Sequence, residues 1–269
     1  MNLHEAYQHN EIKADLWLTS LTNGLAHEQN PLIASTVCSY ISMPLMESAD
    51  NLTEKKLYAL AQTHPLTSCR QQLLRSLIAS ASDSTICRNL YDIWDKAAHP
   101  LLNENDYMNM AYELAIRKPS LHDSIIDTQR NRLSNPDRLR EFDFISKSVT
   151  PDTLKMDECF QSLMKAENRR IEPWAASALS YLNHPQRGDY AIKYIRPGLE
   201  VMKEIQRTGD IFFPRNWAGA LLRHHRSPEA YEEIQRFFKA HPNYPTLLKN
   251  KILQAAWPLY REAANSLDM

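Results

Sequence analysis

The chain predicts an all-α protein, an irregular HEAT- or armadillo-like α-solenoid of antiparallel helix pairs in a curved array. Three observations carry that prediction. Apolar residues recur at helical spacing along almost the whole sequence, and no segment alternates with period two in Val, Ile and Thr. X-Pro dipeptides cut the chain into helix-length pieces. The resulting pairs repeat every ~35–45 residues, the spacing of such solenoids, although no residue pattern recurs strictly.

Taken in order, the opening Leu3, Ala6 and Tyr7 read as part of a helix, and Leu16, Leu18 and Leu21 precede Gly24, placed to close the next one. Thr53-Glu54 starts a helix carrying Leu57, Leu60 and Ala61. Leu73, Leu74, Leu77 and Ile78 form a tight stripe, followed by Ile86, Leu90, Ile93 and Trp94. Tyr107, Met110, Ala111 and Leu114 form the next. Near the end, Ile234, Phe237 and Phe238 precede Leu248, Ile252, Ala255, Ala256 and Leu259, and Pro258 should kink or divide that last helix. His-Pro corners stand at 64–65, 99–100, 184–185 and 241–242, with Asn135-Pro136 and Thr150-Pro151 alike. Proline bars its predecessor from the helical region and cannot donate within a helix, so each marks a turn between helices. Capping is expected from the polar residues after the corner, as in Pro65-Leu66-Thr67-Ser68. Residues 1–269 read as a single helical-repeat domain, with a minor seam at the polar stretch 130–137.

Composition excludes several functions. The 269 residues hold 31 Lys+Arg against 32 Asp+Glu, a net charge of -1 that offers no excess cation for nucleic acid. A mean hydropathy of -0.51 and the lack of a long apolar run argue against a membrane span. The first residues lack the basic-then-apolar pattern of a signal peptide, so a soluble chain is expected. Five glycines cannot supply a phosphate-cradling loop or a nucleophile elbow. The four cysteines show no C-x-x-C spacing and read as scattered, half-buried helical thiols. A zinc-peptidase helix needs His-Glu-x-x-His, but Gln8 follows His4-Glu5 and Pro31 follows His27-Glu28 at the second histidine position. No catalytic residue, metal ligand or cofactor is therefore assigned to this chain.

Arg223-His224-His225-Arg226 reads as a solvated helix end, and Arg169-Arg170 as a solvated turn close to Trp174. Trp17, Trp94 and Trp257 fall on apolar stripes and are expected in the core. One segment departs from this pattern. Residues 207–217 place Gly209, Asp210, Phe212, Phe213, Pro214, Arg215, Asn216 and Trp217 in a loop entering a helix. Gly209 and Pro214 control the conformation beside Arg215, a planar carboxylate clamp, which suits recognition of a peptide or acidic group. The same features equally describe a well-packed corner in which Arg215 caps carbonyls.

At this point a family resemblance enters. The stretches Ala166 to Trp174, Tyr194-Ile195-Arg196-Pro197, Glu204 to Pro214 and Lys249 to Ala256 resemble the C-terminal helical domain of bacterial M1-family zinc aminopeptidases. The opening Asn2 to Tyr7 is similar to a helix at the start of that domain, so the resemblance spans the chain, more specifically in its second half. It implies a bowl of helix pairs closing over a thermolysin-like catalytic domain, which supplies the zinc and the catalytic groups. This chain would be the lid and chamber wall, with that catalytic domain and peptide substrates as its partners. Arg215, Asn216, Phe212, Phe213, Asp210, Arg169 and Arg170 are the candidate chamber residues. In the related leukotriene-hydrolase branch a basic pair holds a substrate carboxylate; here Asp210 and Phe212 replace that pair, and only Arg215 matches. The alternative is a stand-alone α-solenoid adaptor that binds peptides or proteins. An apolar surface at the N-terminal end would favour the lid over the adaptor.

Overall fold

The computed structural model describes residues 3–48 and 51–261, so Asn2 of the quoted opening lies outside the described residues. Among the described residues the chain is all-α, with seventeen α-helices, four short 3-10 turns and no strand. Its contacts divide it into two compact units, 1–114 and 115–269. The stretch 130–137 is the turn between two helices of the second unit.

The first unit holds α1 (Leu3–Gln8), α2 (Ala14–Leu25), α3 (Pro31–Ser39), α4 (Ser42–Glu47), α5 (Asn51–Thr63), α6 (Thr67–Ser80), α7 (Ser84–Lys96) and most of α8 (Glu104–Arg117). The predicted stripe of α6 is its centre: Leu73, Leu74 and Leu77 are wholly buried, where α6 meets α3, α4 and α5. Buried carboxylates tie the helices together. Glu54 of α5 accepts the N–H groups of Ser82 and Asp83 and the Ser82 hydroxyl, fixing the chain just before α7. Asp106 of α8 receives a two-point fork from Arg75 of α6 at 2.7 and 3.0 Å. Such bonds matter because a buried ionised group without partners is costly. Gly24 lies inside the last turn of α2 rather than beyond it, and the C-cap Ala26 keeps right-handed geometry.

The proline corners are capped partly from the other side than expected. At most corners the side chain before the proline accepts the amide two positions on, and at two of them a polar residue after the proline also caps as expected: Asp152 accepts the Leu154 and Lys155 N–H groups, and Asn103 accepts that of Asp106. His64 Nδ1 takes Leu66 N–H at 3.1 Å, His99 Nδ1 takes Leu101 at 3.3 Å and His184 Nδ1 takes Gln186 at 3.2 Å. Asn135 and Thr150 do the same for Asp137 and Asp152. Proline forces its predecessor into extended backbone, which aims a short acceptor at the freed amide, and the imidazole Nδ1 has the reach of an Asn oxygen. His241 is the exception, its Nδ1 lying 2.9 Å from the Phe237 carbonyl.

One helix end is strained. Ala97 closes α7 in the left-handed region with φ 47°, a conformation that disfavours a Cβ, and its side chain is exposed. Ala97→Gly is therefore expected to raise stability by up to about 1 kcal/mol, read as a shift in urea midpoint at unchanged slope. A loss of stability would show that the extra freedom of glycine in the unfolded chain outweighs the relieved strain.

The second unit continues through α9 (His122–Arg132), α10 (Pro136–Ile145), α11 (Thr153–Leu163), α12 (Glu172–Leu182), α13 (Gly188–Glu200), α14 (Met202–Thr208), α15 (Phe213–Leu222), α16 (Pro228–Ala240) and α17 (Thr246–Ala255). One apolar core runs through it, containing Phe160, Leu179, Trp217, Phe237 and Ile252. At its centre α13 and α15 approach closely: a Cβ on Gly198 would lie 2.8 Å from the Leu221 methyls. The helix breaks at Val201, shortly after Pro197, and the Gly198 carbonyl instead accepts the Trp217 indole N–H at 2.9 Å. The last helix does divide, at Ala256, and helical structure resumes over 257–261 around Pro258. Trp17 and Trp94 are buried as expected, but Trp257 is exposed, as is Leu16. Their stripes are wider than the contact each helix makes, so a residue at the stripe edge stays in water.

Candidate functional site

The candidate residues belong to the second unit, where α14 ends and α15 begins. Gly209 follows α14 in extended backbone with φ -96°, so a left-handed conformation is not why it is glycine. The reason is space: an added Cβ would meet the Phe213 ring at 2.8 Å, the Ile205 carbonyl at 2.9 Å and Glu172 Oε1 at 3.0 Å. This close approach lets Glu172, in the first turn of α12, accept the Asp210 N–H at 2.8 Å. Asp210 in turn accepts the Phe212 N–H at 2.9 Å, and Pro214 stands in the first turn of α15. A short, hydrogen-bonded turn results, pinned to a neighbouring helix.

The seven candidates separate into two sets. Phe213 is buried, with its ring edge-on to Trp217 at 5.9 Å. Arg169 is also buried, contrary to its reading as part of a solvated turn. It donates to the Leu163 carbonyl at 2.7 Å and to Glu204 at 2.8 Å, and its guanidinium stands 5.6 Å from the Trp217 ring. The long side chain is drawn inward because the end of α11 presents an open carbonyl and α14 a carboxylate. Arg169 and Phe213 are thus the base beneath the turn. Asp210, Phe212, Arg215, Asn216 and Arg170 are on the exposed side, together with Ile171 and Ile211, which sequence reasoning did not single out. Glu172 was missed as well, and its position in the first turn of a helix was the available signal. The exposed set combines three large apolar side chains, two guanidiniums, an amide and a carboxylate, chemistry able to take an apolar side chain beside a carboxylate.

Elsewhere in this unit, open hollows of about 400 and 470 Å³ lie beside Arg187 and Tyr190, and beside His122 and Lys155. None of the seven candidates lines either of them. Arg187 is occupied with structure, donating to the carbonyls of Ser148, Val149 and Thr150 at the end of a 3-10 turn. Among the described residues no three His, Cys, Asp or Glu side chains gather as a metal site, and no helix is long and apolar enough to cross a membrane.

The Arg223 to Arg226 stretch is only partly solvated. Arg223 is exposed, but His225 is buried and its Nε2 is 2.9 Å from Asn183 Oδ1. Burial, then the neighbouring Arg226 guanidinium, pushes its pKa down to about 4, against a weaker upward pull from the Leu221 backbone. A histidine depressed in the folded state contributes stability fully present above its unfolded value near 6.5 and lost as pH falls through about 4. Burial also lowers His99, with the same sign. Stability is therefore expected to decline between pH ~6.5 and ~4 by roughly 3 kcal/mol from His225 alone. His225→Gln, which keeps a donor for Asn183, should flatten that decline; an unchanged slope would assign the acid sensitivity elsewhere.

Neither a protein-family model nor a curated protein matches this chain.

Proposed function

We propose that this chain is a substrate-enclosing helical domain acting with an M1-type zinc aminopeptidase domain, and that its exposed 210–216 turn faces the peptide. The observation that carries the reading is the division just described: Ile211, Phe212, Arg215 and Asn216 are free at the surface over a rigid base of Phe213, Trp217 and Arg169. A corner made only for packing has no need to place two large apolar side chains in water. The resemblance of the second half to the M1 C-terminal domain supplies the class of substrate. The exposed Leu3, Leu16, Leu32 and Ile33 of the first unit add support, because a docking lid requires apolar surface there. Ala6 and Tyr7 of the same opening helix are buried and add nothing to that surface.

Two buried histidines are already engaged in structure. His64 uses both ring nitrogens, on Leu66 N–H and the Leu25 carbonyl, and His225 is committed to Asn183. In this reading the metal and the bond-breaking step belong to the other domain. This chain's residues would hold the peptide and exclude water from it.

Antibody raised to this chain tests the reading in its source cells. The expected result is capture of a polypeptide longer than 269 residues, or of a complex, that removes N-terminal residues from peptides and stops on chelation. In that enzyme Phe212→Ala with Arg215→Ala should raise KM several-fold with a smaller change in kcat. Capture of the 269-residue chain without peptidase activity would favour the stand-alone adaptor.

A further inference from the structure

The first unit holds a pair of thiols that spacing did not reveal. Cys38 of α3 and Cys69 of α6 are both free and buried, and their sulfurs stand 3.7 Å apart. They lie on an antiparallel seam. One turn earlier in α3 and one turn later in α6, Ser35 and Gln72 exchange hydrogen bonds at 3.2 and 3.3 Å. The seam fixes the register of the two helices, and α3 to α6 is one of the main helix contacts of the unit. The sulfurs face each other directly, whereas Cys87 and Cys159 sit on other helices, α7 and α11.

We propose that Cys38 and Cys69 are a redox modification site, a dithiol that a peroxide converts to a disulfide linking α3 to α6. The chemistry needs one two-electron oxidant. Cys69 as thiolate attacks one oxygen of hydrogen peroxide; the O–O bond breaks, hydroxide leaves, and a sulfenic acid forms. Cys38, as thiolate, attacks that sulfur; the S–S bond forms and the S–O bond breaks as a second hydroxide leaves. With the two thiol protons, two waters are produced, and the two sulfurs have given two electrons to the peroxide. The Cys38 thiol donating to Cys69 favours the Cys69 thiolate and disfavours that of Cys38, which sets this order of attack. The sulfurs must close from 3.7 Å to the ~2.0 Å of a disulfide, which side-chain rotation and a small shift between α3 and α6 would have to supply. The cross-link closes a loop between residues 31 apart in sequence and so restricts the unfolded chain.

The test is to treat the folded chain with hydrogen peroxide, block remaining thiols by alkylation, and map peptides without reduction. The expected product carries one intramolecular disulfide between Cys38 and Cys69, with Cys87 and Cys159 alkylated. Its melting temperature should lie several degrees above that of the reduced chain, and dithiothreitol should reverse both changes. Cys38→Ala should form no intramolecular link and leave Cys69 as a sulfenic or higher acid. The mapping of the unmutated chain is decisive even if that variant fails to fold. Cys38 and Cys69 recovered as thiols, linked to Cys87 or Cys159, or joined only after denaturation would overturn the proposal.

Discussion

Trp217→Ala is expected to cost about 4 kcal/mol of unfolding free energy, the largest single loss in the second unit. The indole is wholly buried, so truncation removes a large apolar surface from the core and leaves a cavity between α12, α13 and α15. It also removes the donor to the Gly198 carbonyl, which has been released where α13 ends, and the ring on which Phe213 and Arg169 rest. Trp217→Phe separates these contributions: it keeps most of the volume and should cost about 1–2 kcal/mol, chiefly for the unpaired carbonyl. Urea unfolding followed by circular dichroism reads both. A loss below about 1 kcal/mol for the alanine variant would mean that the unit relaxes around the gap and that Trp217 is not its keystone.

Arg169→Ala is expected to destabilise by about 2–3 kcal/mol, because it leaves the Leu163 carbonyl and Glu204 without their shared donor. The figure is at the low side for a buried pair because the Glu204 side chain keeps 34% exposure. Arg215→Ala should stay within about 0.5 kcal/mol of the original, as expected for an exposed residue. The two arginines, alike as sequence candidates, thus divide into a structural and a surface role. Unfolding measured for both variants distinguishes them: Arg169→Ala should shift the urea midpoint clearly, and Arg215→Ala should leave it nearly unchanged. Equal stability losses would remove Arg215 from the exposed set. Since Arg169 lies against Trp217, the double variant should lose less than the two single losses together.

Much of the candidate site was legible in advance. The unusual composition of residues 207–217 drew attention to the turn, and Gly209 and Pro214 do shape it. The side that each residue takes was not legible. Phe212 and Phe213 are neighbours of one type, yet one is exposed and the other buried, because only Phe213 lies on the face of α15 that carries Trp217 and packs over Gly209. Arg169 could be placed only once the end of α11 and Glu204 of α14 were in position beside it.

The amino-acid order alone determined the all-α class, most helix stripes and the position of the corners, because these follow from near-neighbour physics. A period of 3.6 residues and the steric demand of proline act within one or two turns of chain. Tertiary structure alone decided which histidines became caps or buried neutral rings and which stripe-edge tryptophan stayed in water. It also decided which cysteines met, since Cys38 and Cys69 are 31 residues apart and adjacent only because α3 lies antiparallel on α6. Burial and partnership depend on what arrives from far along the chain, and local spacing carries no record of that.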